Sequence, residues 1–164
     1  MAFNLQLNSK TALITGGTRG IGASIADVFA QAGANVIISG TQQDSVDQRV
    51  EDLKRQGPGK CAGFVADFSE NRSLEQFCEQ IASLPELHIL VNNAGMNRIA
   101  SIETIETHDL DRINALNLRA PTLLTREVAP LMKQQGWGRI LNIASIWSVV
   151  TKPGRAMYSS SKFG

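Results

Sequence analysis

Three polar side chains near the end of the sequence could carry out proton chemistry together. Tyr158 and Lys162 are four residues apart in YSSSK, and on a helix this spacing places them on one face. Ser145 precedes Tyr158 by thirteen residues and follows a short apolar run. A phenol, an ammonium and a hydroxyl all donate hydrogen bonds, and a phenol can also release its proton. By itself, however, the Tyr158–Lys162 spacing is equally typical of a surface pair on an amphipathic helix.

A glycine-rich turn near the start of the sequence has the composition of a phosphate-binding loop. It reads TGGTRGIG over residues 15–22, with glycines in the spacing GxxxGxG. Glycines allow a sharp turn and a close approach to a pyrophosphate, and the helix that follows directs its free N–H groups at the phosphates. We predict a dinucleotide site here, although a plain strand-to-helix turn can be this rich in glycine. The predicted contacts come from Gly16, Thr18, Arg19, Gly20, Ile21 and Gly22.

The segment after the second predicted strand indicates which dinucleotide binds. Residues 39–43 read SGTQQ, and no carboxylate occurs before Asp44. A carboxylate at this place binds the ribose 2′-hydroxyl of NAD and would repel the 2′-phosphate of NADP. Arg19 could pair with that phosphate and Thr41 could donate a hydrogen bond to it. We therefore expect NADP(H) rather than NAD(H), the alternative for Arg19 being a solvated surface side chain.

Short apolar runs alternate with amphipathic stretches along the chain. The predicted strands cover residues 11–15, 35–39, 61–66, 87–92 and 139–144. The predicted helices cover residues 21–32, 44–56, 69–84 and 105–135, the last either unbroken or as a short helix and a long one, and a further helix begins near Arg155. Strands this short and apolar are expected to be covered on both faces, and joining helices imply parallel pairing. The sequence predicts an α/β fold with a Rossmann-like doubly wound parallel sheet, in a single domain over residues 1–164.

Composition and charge narrow the classes of function. The chain is 43% hydrophobic and 19% charged, with a formal net charge of +1. This charge does not favour nucleic acid or an acidic membrane as a partner, and no apolar run reaches the ~18 residues that span a bilayer. The N-terminal segment MAFNLQLNSK is too polar for a signal peptide. Cys61 and Cys78 lie in no metal-ligand pattern, so we expect no metal site, two reduced thiols and a cytoplasmic protein.

These motifs together resemble the short-chain dehydrogenase/reductase family. The resemblance rests on TGGTRGIG at 15–22, NNAG at 92–95, Asn117, Ser145 and YSSSK at 158–162, which occur in the family's order over nearly the whole chain. It implies that Tyr158 is the general acid in carbonyl reduction and the base in the reverse direction. It also implies that Lys162 stabilises the phenolate and holds the nicotinamide ribose, that Ser145 hydrogen-bonds the substrate oxygen, and that Asn117 supports a water-mediated proton path.

The same resemblance assigns further cofactor contacts. Asn93, Ala94 and Gly95 would line the dinucleotide after the fourth strand. Asp67, followed by Phe68, would meet the adenine after the third strand, and the alternative for Asp67 is a turn or cap residue. With these, the implied catalytic set is Asn117, Ser145, Tyr158 and Lys162.

The chain stops at Lys162-Phe163-Gly164, inside the helix that carries Tyr158. Members of the family normally continue with two further strands, so we expect a domain incomplete at the C-terminus, and a fragment rather than a natural short product. A helix cut here loses the packing that holds Tyr158 and Lys162, and the sheet loses covering on one side. An isolated 1–164 polypeptide is therefore expected to be unstable or inactive.

The leading functional hypothesis is an NADPH-dependent carbonyl reductase acting on a small molecule. Similarity to 3-oxoacyl-[acyl-carrier-protein] reductases suggests a substrate linked to acyl carrier protein, in fatty acid biosynthesis. The alternatives are a sugar, polyol or steroid-like alcohol dehydrogenase and a catalytically silent NADP-binding scaffold. Trp147 fits either a substrate pocket or a core position. The resemblance also implies a homotetramer built through the long helix and the Tyr158 helix.

Overall fold

A parallel five-stranded sheet is the centre of the computed structural model, which describes residues 5–163. In chain order the strands are β1 (Thr11–Ile14), β2 (Asn35–Gly40), β3 (Cys61–Val65), β4 (Ile89–Asn92) and β5 (Arg139–Asn142). Their spatial order is β3-β2-β1-β4-β5, with all neighbours parallel. The chain builds outward from β1 to β3, then returns to β4 on the other side of β1. The predicted doubly wound sheet is thus confirmed, and its switch point lies between β1 and β4.

Helices connect the strands, as the alternating pattern predicts. They are α1 (Gly20–Gln31), α2 (Gln43–Lys54), α3 (Asn71–Ala82), α4 (Thr107–Asn114), α5 (Ala120–Gln134) and α6 (Ala156–Phe163). A π-helical segment, Ala115–Arg119, joins α4 to α5, so the long helical region is continuous with a wider turn inside it. No helix in the range 5–163 is long and apolar enough to cross a bilayer. Residues 1–4 of the polar N-terminal segment, and Gly164, lie outside the described residues.

The hydrophobic core lies in two layers, one on each face of the sheet. Leu13 points to the face covered by α3 and α5, where it joins Phe77 and Leu124. Its neighbour Ile14 points to the opposite face, where it joins Ala26 of α1. Because successive side chains of a strand alternate between faces, Leu13 and Ile14 contribute to one core each.

The two edge strands differ from the prediction of strands covered on both faces. All four residues of β5 are exposed, including Ile140 at 37% and Leu141 at 42%, and β3 is only partly buried. By contrast, β1 and β4 are buried throughout. The covering expected on both faces is therefore present over the centre of the sheet and missing from β5.

Candidate active site

The carboxyl ends of β1 and β4 are tied together directly. The Thr15 hydroxyl donates to the carbonyl oxygen of Val91 at 3.3 Å and accepts from the backbone N–H groups of Asn93 and Ala94, both at 3.0 Å. The Asn93 Nδ2 donates in turn to the carbonyl oxygens of Thr15 at 2.8 Å and Gly16 at 3.1 Å. These hydrogen bonds therefore hold the loop after β1 and the loop after β4 together at the switch point. Thr15 was not among the predicted site residues, although it directly precedes the first glycine.

The glycine loop requires glycine for two separate reasons. Gly16 and Gly20 have φ of +63° and +58°, in the left-handed region that side chains with a Cβ avoid. Gly22 is required by space, because a Cβ there would lie 2.4 Å from both the Asn93 Nδ2 and the Gly16 carbonyl oxygen. The loop therefore brings the backbone to the start of α1 with no side chain in between.

The N-terminus of α1 is open to an anion. Its N-cap residue, Arg19, makes no side-chain capping bond, and the first turn contains no acidic residue. The exposed Ile21 follows at 64% accessibility. Free N–H groups and the positive end of the helix dipole are the usual partners of a bound phosphate. The residues present thus fit the pyrophosphate of a dinucleotide.

The side chains that would meet a 2′-phosphate lie beside this loop. Arg19 and Thr41 are both exposed, and Thr18 packs its methyl group near Gly40, whose added Cβ would lie 2.6 Å away. The first carboxylate after β2, Asp44, belongs to the first turn of α2. The structure thus leaves the Arg19 and Thr41 side chains exposed, and no acidic residue occurs between the end of β2 and Asp44.

Asp67 and Phe68, predicted to meet the adenine, have separate environments. Burial opposes ionisation of the Asp67 carboxyl, but hydrogen bonds from the Ser69 hydroxyl and N–H, at 2.6 and 2.9 Å, outweigh it and hold the pKa below its ordinary value. Phe68 is 4% exposed and packs on Phe77 with ring centroids 5.0 Å apart. The Phe68 side chain therefore belongs to the core, so a contact of this residue with the cofactor would have to come from its backbone.

Lys162 is held at the end of β5 without an acidic partner. Its Nζ donates to the carbonyl oxygen of Ile143 at 2.8 Å, and burial lowers the pKa of the ammonium. Within residues 5–163 no salt bridge includes Lys162. Gly95 lies directly beneath: a Cβ there would be 2.9 Å from the Asn117 Oδ1 and 3.4 Å from the Lys162 Nζ. Three predicted site residues, Gly95, Asn117 and Lys162, therefore meet at one place.

Asn117 lies in the π-helical segment and is 7% exposed. Its Oδ1 accepts from the Met96 N–H at 2.9 Å, and its Nδ2 donates to the Met96 carbonyl oxygen at 2.8 Å and to the Ser161 hydroxyl at 2.9 Å. Both amide hydrogens are thus used by protein acceptors. The side chain clamps the loop after β4 to α6, a contact in which Ser161 takes part although the sequence analysis did not single it out.

Ser145 and Tyr158 are brought to the same edge but are not bonded to each other. The Ser145 Oγ accepts from the Trp147 N–H at 3.3 Å, at the start of a short 3₁₀ turn, Ile146–Ser148, against which α6 packs. No hydrogen bond joins the Ser145 and Tyr158 hydroxyls in the described part of the chain. Both hydroxyls remain available for a third group.

Trp147 lies beside these residues rather than in the core. The Lys152 Nζ and the Arg155 guanidinium carbon lie 5.2 and 5.4 Å from its ring centroid. Trp147 is partly exposed and belongs to neither of the two core clusters, which favours the pocket over the core position. Two cations thus stand on an aromatic ring between Ser145 and Tyr158 in the chain. Among the described residues no cluster of three His, Cys, Asp or Glu side chains could hold a metal ion.

Residues 10–164 match the family model described as short chain dehydrogenase. The chain therefore belongs to the short-chain dehydrogenase/reductase family, and the resemblance drawn from its motifs is confirmed.

The chain is similar in sequence and in fold to dehydrogenases and reductases of several kinds. It is 38% identical over 160 residues to D-beta-hydroxybutyrate dehydrogenase of Cupriavidus necator, covering 96% of this chain and 61% of that protein. A solved 3-oxoacyl (acyl-carrier-protein) reductase from Agrobacterium tumefaciens, with NADP bound, has a TM-score of 0.90 at 31% identity, covering 98% of this chain and 62% of that one. A 7α-hydroxysteroid dehydrogenase complexed with NADH and 7-oxo glycochenodeoxycholic acid has a TM-score of 0.88 at 34% identity, with coverage of 98% and 62%. The chain thus spans about 60% of the length of these proteins.

Proposed function

We propose that the protein is a carbonyl reductase that transfers hydride between a nicotinamide dinucleotide and a ketone or secondary alcohol. The observation that carries the proposal is the placement of Lys162. A half-buried ammonium with no acidic partner stands on the Ile143 carbonyl oxygen, beside Gly95 and one helical turn from Tyr158. Such a cation is costly to bury unless it serves a negative group that arrives or forms later. A phenolate at Tyr158 is that group.

The side chains then divide the proton chemistry between them. The dinucleotide supplies the hydride when bound. Tyr158 donates its hydroxyl proton to the carbonyl oxygen during reduction and takes it back during oxidation. Lys162 stabilises the phenolate by its charge, and Ser145 donates a hydrogen bond to the same substrate oxygen. Asn117 holds the loop after β4 in place. Because both of its amide hydrogens are already bonded, a water on the proton path could bond only to the Asn117 Oδ1 or to its backbone carbonyl oxygen.

The cofactor of this proposal is NADP(H). Support comes from the exposed side chains of Arg19, at the N-terminus of α1, and Thr41, directly after β2, and from the absence of a carboxylate between Gly40 and Asp44. The solved relatives include one with NADP and one with NADH, so the choice depends on these side chains. A pair between an arginine and the 2′-phosphate is a charge-assisted contact that NADH cannot make, because NADH lacks that phosphate. Asp67, Asn93, Ala94 and Gly95 complete the predicted lining.

The substrate of this proposal is a 3-oxoacyl thioester, as in the acyl-carrier-protein reductase with which the fold superposes. A second candidate is a short hydroxy acid, and one observation favours it. Lys152 and Arg155 stand together on Trp147, close in the chain to Ser145 and Tyr158, and the Arg155 Nε is buried with no hydrogen-bond partner among the described residues. Paired cations of this kind suit a carboxylate.

The test measures oxidation of NADPH by a panel of carbonyl compounds that includes acetoacetyl thioesters and acetoacetate, with NADH in parallel. The reductase is supported if the wild type turns over a carbonyl compound and a Tyr158→Phe variant does so about 10²-fold or more slowly while still binding NADPH. A protein that binds NADPH but turns over no carbonyl compound supports the scaffold alternative instead. Preference for acetoacetate over its thioesters, lost in Arg155→Ala, favours the hydroxy acid.

Assembly and location form part of the same proposal. Leu118, in the π-helical segment, is 40% exposed and Phe163, in α6, is 82% exposed, which supports a homo-oligomer built on this side of the molecule. Cys61 and Cys78 are free, and burial raises the pKa of both thiols. Two unpaired, weakly acidic thiols suit a reducing compartment such as the cytoplasm.

A further inference from the structure

Ser161 occupies a special position among the three serines of YSSSK. It is 3% exposed, whereas Ser160 beside it is exposed. The Ser161 hydroxyl accepts a hydrogen bond from the Asn117 Nδ2 at 2.9 Å and donates one to the Tyr158 carbonyl oxygen at 2.9 Å. By contrast, the Ser160 hydroxyl donates only to the Met157 carbonyl oxygen, at 3.0 Å. The Ser159 hydroxyl lies 3.0 Å from that of Thr151, in the segment before α6. Of the three serines, only Ser161 therefore links α6 to the π-helical segment.

The orientation of the Asn117 amide makes this link directional. Its Oδ1 receives the Met96 N–H, so its Nδ2 must be the end that faces the Met96 carbonyl oxygen and Ser161. Ser161 must then accept from Asn117, which leaves its own proton for the Tyr158 carbonyl oxygen. A continuous chain of hydrogen bonds thus runs from the loop after β4, through the π-helical segment, to the backbone of Tyr158.

Lys162, the next residue, bonds to a different segment of the chain. Its Nζ bonds to the Ile143 carbonyl oxygen at the end of β5. The turn that carries Tyr158 and Lys162 is therefore bonded to other segments through three side chains: Ser159 to Thr151, Ser161 to Asn117 and Lys162 to Ile143. Loss of the Ser161 hydroxyl removes the bond to Asn117, so the turn can shift relative to the π-helical segment while the Ser159 and Lys162 bonds remain.

We propose that Ser161 is a positioning residue that sets the distance between the Tyr158 hydroxyl and the Lys162 ammonium by hydrogen-bonding both Asn117 and the Tyr158 backbone. This inference rests on the proposed function and adds a residue to it. Ser161 touches neither substrate nor cofactor in this role. Its hydroxyl acts through the helical turn, so its removal changes how well Lys162 stabilises a phenolate at Tyr158.

The experiment compares Ser161→Ala with the matched control Ser160→Ala in the intact protein. A lost hydrogen bond of ordinary strength lowers kcat about threefold to tenfold, with the KM for the cofactor changed less than about twofold. The alkaline limb of the pH profile of kcat should move to higher pH by about half a unit. Ser160→Ala should match the wild type in both measurements.

A spectroscopic readout separates this inference from the proposed function. Tyr158 is the only tyrosine in the sequence, so the phenolate absorbance that Tyr158→Phe removes reports on Tyr158 alone. In Ser161→Ala this titration should shift to higher pH even if no substrate has been found, whereas absent turnover in the wild type overturns only the reductase. Ser161→Cys keeps the size with a weaker donor and should lie between wild type and Ser161→Ala, which covers the case that alanine does not fold. If Ser161→Ala or Ser161→Cys folds and has the same kcat, pH profile and titration as Ser160→Ala, the positioning role is overturned.

Discussion

The Lys162 Nζ lies 2.8 Å from the carbonyl oxygen of Ile143, two residues before Ser145. This bond joins the helix that carries Tyr158 to the short segment between β5 and Ser145. It also explains how a half-buried ammonium stays in place without a carboxylate, since a carbonyl oxygen satisfies one of its three donors. The two remaining donors are available to a cofactor hydroxyl and to a phenolate.

Replacement of Lys162 by methionine should separate activity from stability. Burial lowers the pKa of Lys162, which shows that its surroundings disfavour the charge. Removing the charge should therefore leave the free energy of unfolding within about 1 kcal/mol of the wild type, because relief of desolvation offsets the lost hydrogen bond. Turnover should fall by about 10²-fold or more. Denaturant unfolding and NADPH oxidation measure the two effects, with the exposed Lys133→Met as the control; a folded variant that keeps full activity contradicts the proposal.

Thr15→Val should destabilise the fold more than its size suggests. The side chain keeps its volume but leaves the partly buried N–H groups of Asn93 and Ala94 without their acceptor. Each unpaired group costs about 1–3 kcal/mol. Thr122→Val removes an exposed hydroxyl that bonds only the Leu118 carbonyl oxygen, and it should change stability by less than about 0.5 kcal/mol. Equal unfolding midpoints for the two variants would show that Thr15 does not hold the switch point together.

Arg19→Ala should weaken the use of NADPH selectively. If the guanidinium pairs with the 2′-phosphate, its loss lowers kcat/KM for NADPH about tenfold or more and leaves that for NADH within about twofold. Arg126→Ala, whose side chain pairs with Glu127 on α5, provides the control with the same change of charge. Steady-state kinetics with both cofactors measures the ratio, and an equal loss for NADH and NADPH would mean that Arg19 does not read the 2′-phosphate.

His88 should make the fold sensitive to mild acid. Its Nδ1 accepts the Thr11 N–H at 3.1 Å, and burial, assisted by the nearby Lys10, holds the pKa of the imidazole below 6.5. As the pH falls through about 6.5, the unfolded chain binds a proton that the folded chain does not. The stability present above that pH is therefore lost progressively below it, until the pH reaches the folded-state pKa.

The variant His88→Asn should remove this pH dependence, because an amide oxygen can accept the Thr11 N–H but does not titrate. Thermal unfolding between pH 7 and about 5 measures the slope, above the range in which free carboxyl groups titrate. The exposed His108→Asn should retain the slope of the wild type. If the slopes of His88→Asn and wild type coincide, His88 is not its source.

Much of the fold could be read from the spacing of residues. The run TALIT followed by glycines predicted β1 and the loop, and the spacing of Leu74, Phe77, Cys78 and Ile81 predicted the buried face of α3. These signals are local, since strand and helix periods are set by the backbone of the segment itself. The exposure of Ile140 and Leu141 in β5 had no local signal, because both are as apolar as residues of a covered strand and what covers them is set by the rest of the fold.

The candidate site shows the same division in its individual side chains. Ser160 and Ser161 are identical in type and adjacent in sequence, and only the packing of α6 on the π-helical segment buries one and exposes the other. Phe68 follows Asp67 directly, yet its ring turns into the core while the carboxylate stays at the loop. The sequence by itself determined the family, the succession of strands and helices and the residue types capable of proton chemistry, because those depend on identity and spacing along one chain. Only the tertiary structure decided which hydroxyl meets Asn117, where the Lys162 ammonium rests and which side chains face the core, because such contacts join segments far apart in sequence and depend on how the sheet and helices pack.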